Sequence, residues 1–293
     1  MNTFNWEAIS QYINIQEVRD NPYLSWSLKG LSCNKDITIR DIKNLWLPNA
    51  TDGWNWICIS RYINMQEVRD NTHMPWNRKS LSQNIGITIQ DIDTLKLPKA
   101  RNIWDWKYLS QYINMQEVRD NPTLYWNRQG LSANIGITVD DILHLHMPNA
   151  IKLWNWRYIS SHINIQEVRD NPTLYWNKKT LSQNIGITLH DIDTLDLPNA
   201  TRYWKWRCIS QYINIQEVRD NPHLKWNRLG LSLNRTLTIQ DMKTLDIPNA
   251  TDDWDWDAIS MYINIQEVRD NPHLEWSKEY LSMNIGITIS DII

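Results

Sequence analysis

The chain has 293 residues, among them 18 Trp against a single Phe and 8 Gly, a usage that points to a few positions copied many times rather than to an average enzyme. Its 30 basic and 33 acidic residues leave a net charge of −3, so no whole-molecule field favours nucleic acid or a membrane surface. The three cysteines, Cys33, Cys58 and Cys208, form no CxxC pair and are too few for a disulfide framework, which fits a reducing compartment or indifference to redox state; Cys58 and Cys208 read as ordinary fillers.

From its first residues, MNTFNWEAIS, the chain enters a repeat, with no basic-then-apolar signal segment ahead of it. No apolar run approaches the ~20 residues that a membrane-spanning helix needs. The expectation is an intracellular protein that does not enter membranes.

In chain order each unit runs WNWxxIS (from Trp54, with Phe4 in that position of the first copy), INIQEVRDNP (as at Ile13 to Pro22), LxW followed by LS (Leu24 to Ser32), ITIxDI (Ile37 to Ile42) and LPNA (Leu47 to Ala50). The period is 50 residues without an insertion, giving units at 1–50, 51–100, 101–150, 151–200, 201–250 and 251–293. A position shared by the six copies is called a slot below.

Four times per unit an apolar residue precedes Asn, Asp, Ser or Thr, with a second apolar residue four positions after the polar one. That is a hydrophobic staple around an N-cap, and it predicts a helix start. In the second unit the starts are Trp54, Asn55, Ile59; Ile63, Asn64, Val68; Trp76, Asn77, Leu81; and Ile87, Thr88, Ile92. Asn64 with Glu67, and Thr88 with Asp91, add the carboxylate of a capping box. Lys205 is a poor cap in a slot that holds Asn or Asp elsewhere, so the first helix of the fifth unit is expected to fray most.

Stops are expected at Asn21-Pro22, at Gly86, Gly136, Gly186 and Gly286, and at Leu47-Pro48. Helices this short lie below the ~12–15 residues at which an isolated helix is even marginal in water, so stacking must stabilise them. Burying a Trp of ~150–250 Å² at ~25 cal/mol/Å² contributes several times the ~1 kcal/mol of a cap. The predicted fold is therefore all-α: a single α-solenoid domain over 1–293, with six 50-residue four-helix repeats built from twelve helix-pair modules.

The segments WNWxxIS, SxNxxIT and the capped INIQEV or ITIxDI resemble Trp-rich tandem repeats found in proteins of giant, mimivirus-like DNA viruses. The resemblance implies a viral repeat protein without established enzymatic activity, made in the cytoplasm of an infected host cell. The alternation of two module lengths here departs from the simple pattern of those repeats.

Two sets of slots invite a functional reading. QEVRDN is identical in all six units, so Glu17, Arg19 and Asp20, Glu67, Arg69 and Asp70, and Glu117, Arg119 and Asp120 recur at one spacing. They are expected to form a structural ladder: a cap carboxylate, with ion pairs between adjacent layers through the Arg and Asp. The first helical position after the third cap holds Arg78, Arg128, Lys178, Arg228 and Lys278, with Leu28 the exception. Positive charge there opposes the helix dipole. It is expected either to pair with carboxylates of a neighbouring layer or to form a stripe that contacts phosphates or an acidic protein.

The WxW pair could be imagined as a stacking platform for bases, but the staple geometry favours core packing. His144 and His146 have no acidic or Cys partner at ligand spacing, no phosphate loop or catalytic set stands out, and no cofactor is expected. The reading is a non-catalytic structural or protein-interaction scaffold displaying variable slots such as Glu7, Gln11, Tyr23, Ser25, Arg40 and Thr51. Binding of single-stranded RNA or DNA along the Arg/Lys stripe is the alternative. Because the sixth unit ends without its LPNA segment or a polar cap, end-to-end self-association is also expected.

Overall fold

The structure is a computed structural model that describes residues 3–292. Those residues form 23 α-helices and one 3-10 helix, and contain no β-strand beyond five isolated parallel bridges. The first repeat holds α1 (Trp6–Tyr12), α2 (Ile15–Asp20), α3 (Leu28–Ser32) and α4 (Ile39–Asn44). The second holds α5 (Trp56–Tyr62), α6 (Met65–Asp70), α7 (Arg78–Leu81) and α8 (Ile89–Thr94). The same four-helix pattern recurs to the last copy, where the 3-10 turn Ile289–Asp291 takes the fourth place. The fold is an α-solenoid of tandem helical repeats.

Cap chemistry marks most of the helix starts. Asn55 Oδ1 accepts from the Ile57 and Cys58 amides, Asn64 from Gln66, and Asn77 from Ser80. Thr88 and Asp91 exchange bonds as a full capping box, as do Thr38 with Asp41, Thr188 with Asp191 and Thr238 with Asp241. Lys205 makes no cap bond, as expected, although its helix keeps the common length of 7 residues (Trp206–Tyr212). Ser277 makes none either.

The glycine stops are a correction. No glycine among the described residues has a positive φ, and α7 ends at Leu81, with Ser82 as its C-cap, before Gly86 is reached. The left-handed residues are instead Asp52, Asn102, Lys152, Arg202 and Asp252, with φ of 61–71°. They follow the LPNA turn, where the Thr51 amide returns to Trp26 O at 2.9 Å and the Leu28 amide to Thr51 O at 3.0 Å. The longer connection between helix pairs is thus folded back onto the start of α3.

Buried hydroxyls and amides hold successive helices in register. Ser10 Oγ donates to Trp6 O and accepts from the Ser27 amide, joining α1 to α3. Ser32 Oγ donates to Leu28 O and accepts from the Asn55 amide, joining the first repeat to the second. Asn34 Nδ2 donates to Ser10 O and Ile13 O at 3.1 and 2.8 Å. Among the described residues no buried side-chain nitrogen or oxygen lacks a partner.

Trp26, Trp76, Trp126, Trp176 and Trp226 are 0% exposed and centre the core. Trp26 Nε1 donates to Asn21 O at 2.8 Å, which satisfies its one polar group, and Trp6 meets its ring edge-on at 5.4 Å. Both members of the WxW pair, Trp54 and Trp56, lie half-buried against the second repeat's core with Ile59, Ile63 and Val68. That is the packing the staple predicted.

The residues group into two compact units. One comprises the chain up to Asn134, Leu145–Leu153 and the residues from Ile285 onward; the other comprises Ile135–His144 and Trp154–Asn284. In the first unit Ile289 and Ile292 belong to the cluster of Ile9, Ile15, Trp26 and Ile37, and Ile289 is only 8% exposed. The apolar face expected to be open at the end of the sixth repeat is covered at these residues by the first repeat. Cys33 and Cys58, for which no disulfide is expected from sequence, are bonded to each other across the joint between the first two repeats. The spacing of one copy could not reveal this, because the two slots meet only when repeats stack.

Candidate interaction groove

The slots of the expected ladder are tied to several different partners. Arg19 grips Asp41 of its own repeat with Nε and Nη2 at 2.9 and 2.8 Å, and Arg69, Arg169 and Arg219 hold Asp91, Asp191 and Asp241 likewise. Arg119 lies half-buried in the same slot. Asp20, Asp70 and Asp120 do not reach a neighbouring layer; each accepts from the Gln one turn earlier, Gln16, Gln66 and Gln116, at 2.8 Å. Arg19 and its copies thus join adjacent helix pairs, while the contact between repeats is made by the glutamate. Glu67 Oε2 accepts from the Ile39 amide of the preceding repeat at 3.2 Å, and Glu117 from Ile89 at 3.2 Å, so each caps its neighbour's helix rather than its own. Glu17 sits half-buried on α2.

Burial pushes the Asp41 carboxyl up, but the hydrogen bonds from Arg19 and Thr38 outweigh it and hold the group below the ordinary carboxylate range. Asp91, Asp191 and Asp241 are depressed by the same balance of causes.

The cationic stripe is turned onto the backbone. Arg78 donates to Leu97 O and Asn102 O, Arg128 to Ala150 O and Met147 O, and Arg228 to Ala250 O, Asp252 O and Ile247 O, over 3.1–3.5 Å. Lys178 Nζ stands over the Trp204 ring at 5.9 Å, and Lys278 is exposed. For the three arginines the partners are carbonyls of the LPNA turn and of the residues just after it, not the carboxylates expected. His144 does have an acidic partner, Asp140 at 2.8 Å, one turn away on an exposed helix face. Among the described residues no group of three or more His, Cys, Asp or Glu could hold a metal ion.

A different set of slots lines a groove in each unit. In the first unit it has a volume of about 620 Å³ and is lined by Gln11, Tyr12, Asn14, Cys33 to Asp36, Tyr62 and Ile285. In the second it has about 540 Å³ and is lined by Gln211 to Asn214, Leu233 to Thr236, Tyr262 and Ile185. In register these are one site. The end of a repeat's first helix forms one part, the loop after its third helix a second, and the Tyr that ends the next repeat's first helix a third. In the second groove Arg235 lies over the Tyr262 ring at 5.5 Å.

The slot of Lys35 and Arg235 holds Ile85, Ile135, Ile185 and Ile285 elsewhere, and these are 84, 88, 83 and 76% exposed. None of them was singled out from sequence. The available signal was the NIGIT segment, where two Ile flank a Gly and the staple of the fourth helix needs only the second. Of the variable slots named from sequence, Glu7, Tyr23, Ser25, Arg40 and Thr51 are exposed and Gln11 lies half-buried in the groove. Among the described residues no helix is long and apolar enough to cross a membrane. Searches of protein-family models, curated proteins and solved structures each return no match for the chain.

Proposed function

We propose that the chain is a protein-interaction scaffold without catalytic activity, and that its partner-facing surface is the groove of paired tyrosines with its neighbouring isoleucines. One observation carries this reading: a β-branched apolar side chain stands more than three-quarters exposed in four of six copies of one slot, beside a groove that recurs in register. Leaving that much apolar surface in water has no benefit to folding, whereas a partner that covers it gains the transfer free energy. The arginine stripe supports a nucleic-acid partner less well, because phosphates would compete with the carbonyls that already occupy Arg78, Arg128 and Arg228.

The test is comparative co-purification from cells that express the chain. Ile185→Asp with Ile285→Asp, one on each groove, is set against Arg40→Ala with Lys79→Ala, two exposed positions outside both. Loss of a stoichiometric protein partner in the groove variant alone supports the reading. Retention of every partner by the groove variant opposes it, as does salt-sensitive binding of single-stranded RNA or DNA that the groove changes leave intact.

A further inference from the structure

The first groove differs from its copies in one chemical respect. Cys33, which lines it, follows the last residue of α3, and Cys58 lies in α5, one turn before Tyr62 of the same lining. Their Cα atoms are 5.0 Å apart, within the 4.4–6.8 Å that a disulfide spans. Both residues are half-buried, so small thiols reach them, whereas Cys208 is buried beside Gln183 at 3.7 Å. The same two slots hold Gln83 and Tyr108 at the next joint, Gln183 and Cys208 at a later one, and Leu233 and Ala258 beside the second groove. In only one joint do both slots carry cysteine.

We propose that Cys33 and Cys58 form a reversible thiol–disulfide latch across the joint of the first two repeats, and that its state sets the opening of the adjoining groove. The link ties the loop of Asn34, Lys35 and Asp36 to the helix that presents Tyr62, two parts of one groove lining. Closure uses a small-molecule disulfide, such as glutathione disulfide, as its two-electron oxidant. One protein thiolate attacks that disulfide and expels a thiolate; the second protein thiolate attacks the mixed disulfide and expels the other. The two protons released by the protein thiols end on the two small thiols, and excess small thiol runs the sequence backwards. That the groove is a partner site rests on the interaction reading above; the latch does not.

The full chain, reduced and then equilibrated across a series of glutathione to glutathione-disulfide ratios, is quenched with an alkylating agent and mapped by peptide mass spectrometry. At the oxidising end the expected product is a peptide carrying Cys33 joined to one carrying Cys58, lost in Cys58→Ala, a variant with the residue that Ala8 and Ala258 place in the same slot. Hydrogen exchange is then compared between the two redox states. Amides at 34–36 and 57–62 are expected to exchange more slowly when oxidised, while 234–236 and 257–262, beside a joint without thiols, stay unchanged.

Complete alkylation of both thiols at the most oxidising ratio, or mixed disulfides that never resolve into the internal link, overturns the latch. An internal link with identical exchange at 34–36 and 57–62 in both states overturns its hold on the groove. Neither measurement needs a partner, so a groove that binds nothing leaves both results standing and is recognised separately by the co-purification.

Discussion

Gly130 occupies a slot that holds Gly in the first, third and fifth repeats but Ser80, Thr180 and Tyr280 in the others. A Cβ there would lie 2.3 Å from Lys107 O and 2.9 Å from Ser110 Cβ, against backbone that cannot swing aside. The first and third helices of a repeat pack more closely where the slot is Gly. Gly130→Ala is therefore expected to cost about 1–3 kcal/mol through overpacking, read as a fall in the urea midpoint, while Ser80→Ala stays much nearer the wild type. Lys205 is the converse case, a slot filled by the wrong chemistry: its helix starts without a side-chain acceptor. Lys205→Asn supplies one and is expected to raise stability by about 1 kcal/mol, seen as a higher urea midpoint at unchanged slope. Both roles were partly legible. The missing cap is a local property of one residue, whereas the close approach at Gly130 depends on a helix more than twenty positions away.

At the scale of the helix, what sequence revealed and what it hid divide along the same line. Starts were readable because an N-cap and its amide lie within three residues, and Thr88 with Asp91 behaves as its spacing demands. Glu67 has the same spacing to Asn64 but spends its carboxylate on Ile39 of the preceding repeat, and Arg78 spends its guanidinium on Leu97 O; both targets exist only after stacking. Arg69 with Asp91 shows what such a link controls. Because the Asp91 carboxyl is held below its ordinary value when folded, its contribution to stability is present above the unfolded-state pKa of ~3.9 and is lost as pH falls through the lower folded value. Removing the guanidinium with Arg69→Met leaves burial as the largest influence, offset only by the bonds from Thr88. The folded-state value then rises, and acid unfolding, followed by circular dichroism along a pH titration, is expected to begin at a higher pH than in the wild type. An unchanged onset would mean that Thr88 alone supports the charge.

Across the whole chain, sequence repetition made the fold class plain but not which repeats touch, since a period of 50 says nothing about residues several periods apart. Ile289 is the decisive instance. In the ITIxDI register it matches Ile39, which packs against Ile59 and Met65 of the repeat that follows it. Ile289 occupies the corresponding place against Ile9 and Ile15 of the first repeat. The first repeat thus has as its neighbour the last segment of the chain. If stability is a sum of such neighbour interfaces, truncating this side chain must loosen residues at the other end of the sequence. Ile289→Ala is expected to cost about 2–5 kcal/mol, the range for deleting a buried Ile side chain, and to accelerate amide exchange at Ile15 and Val18 while Ile165 and Val168 of the second unit keep wild-type rates. Loss of protection confined to the last ten residues would instead make the contact a passive resting place, and the first repeat would then be stable without a neighbour on that face.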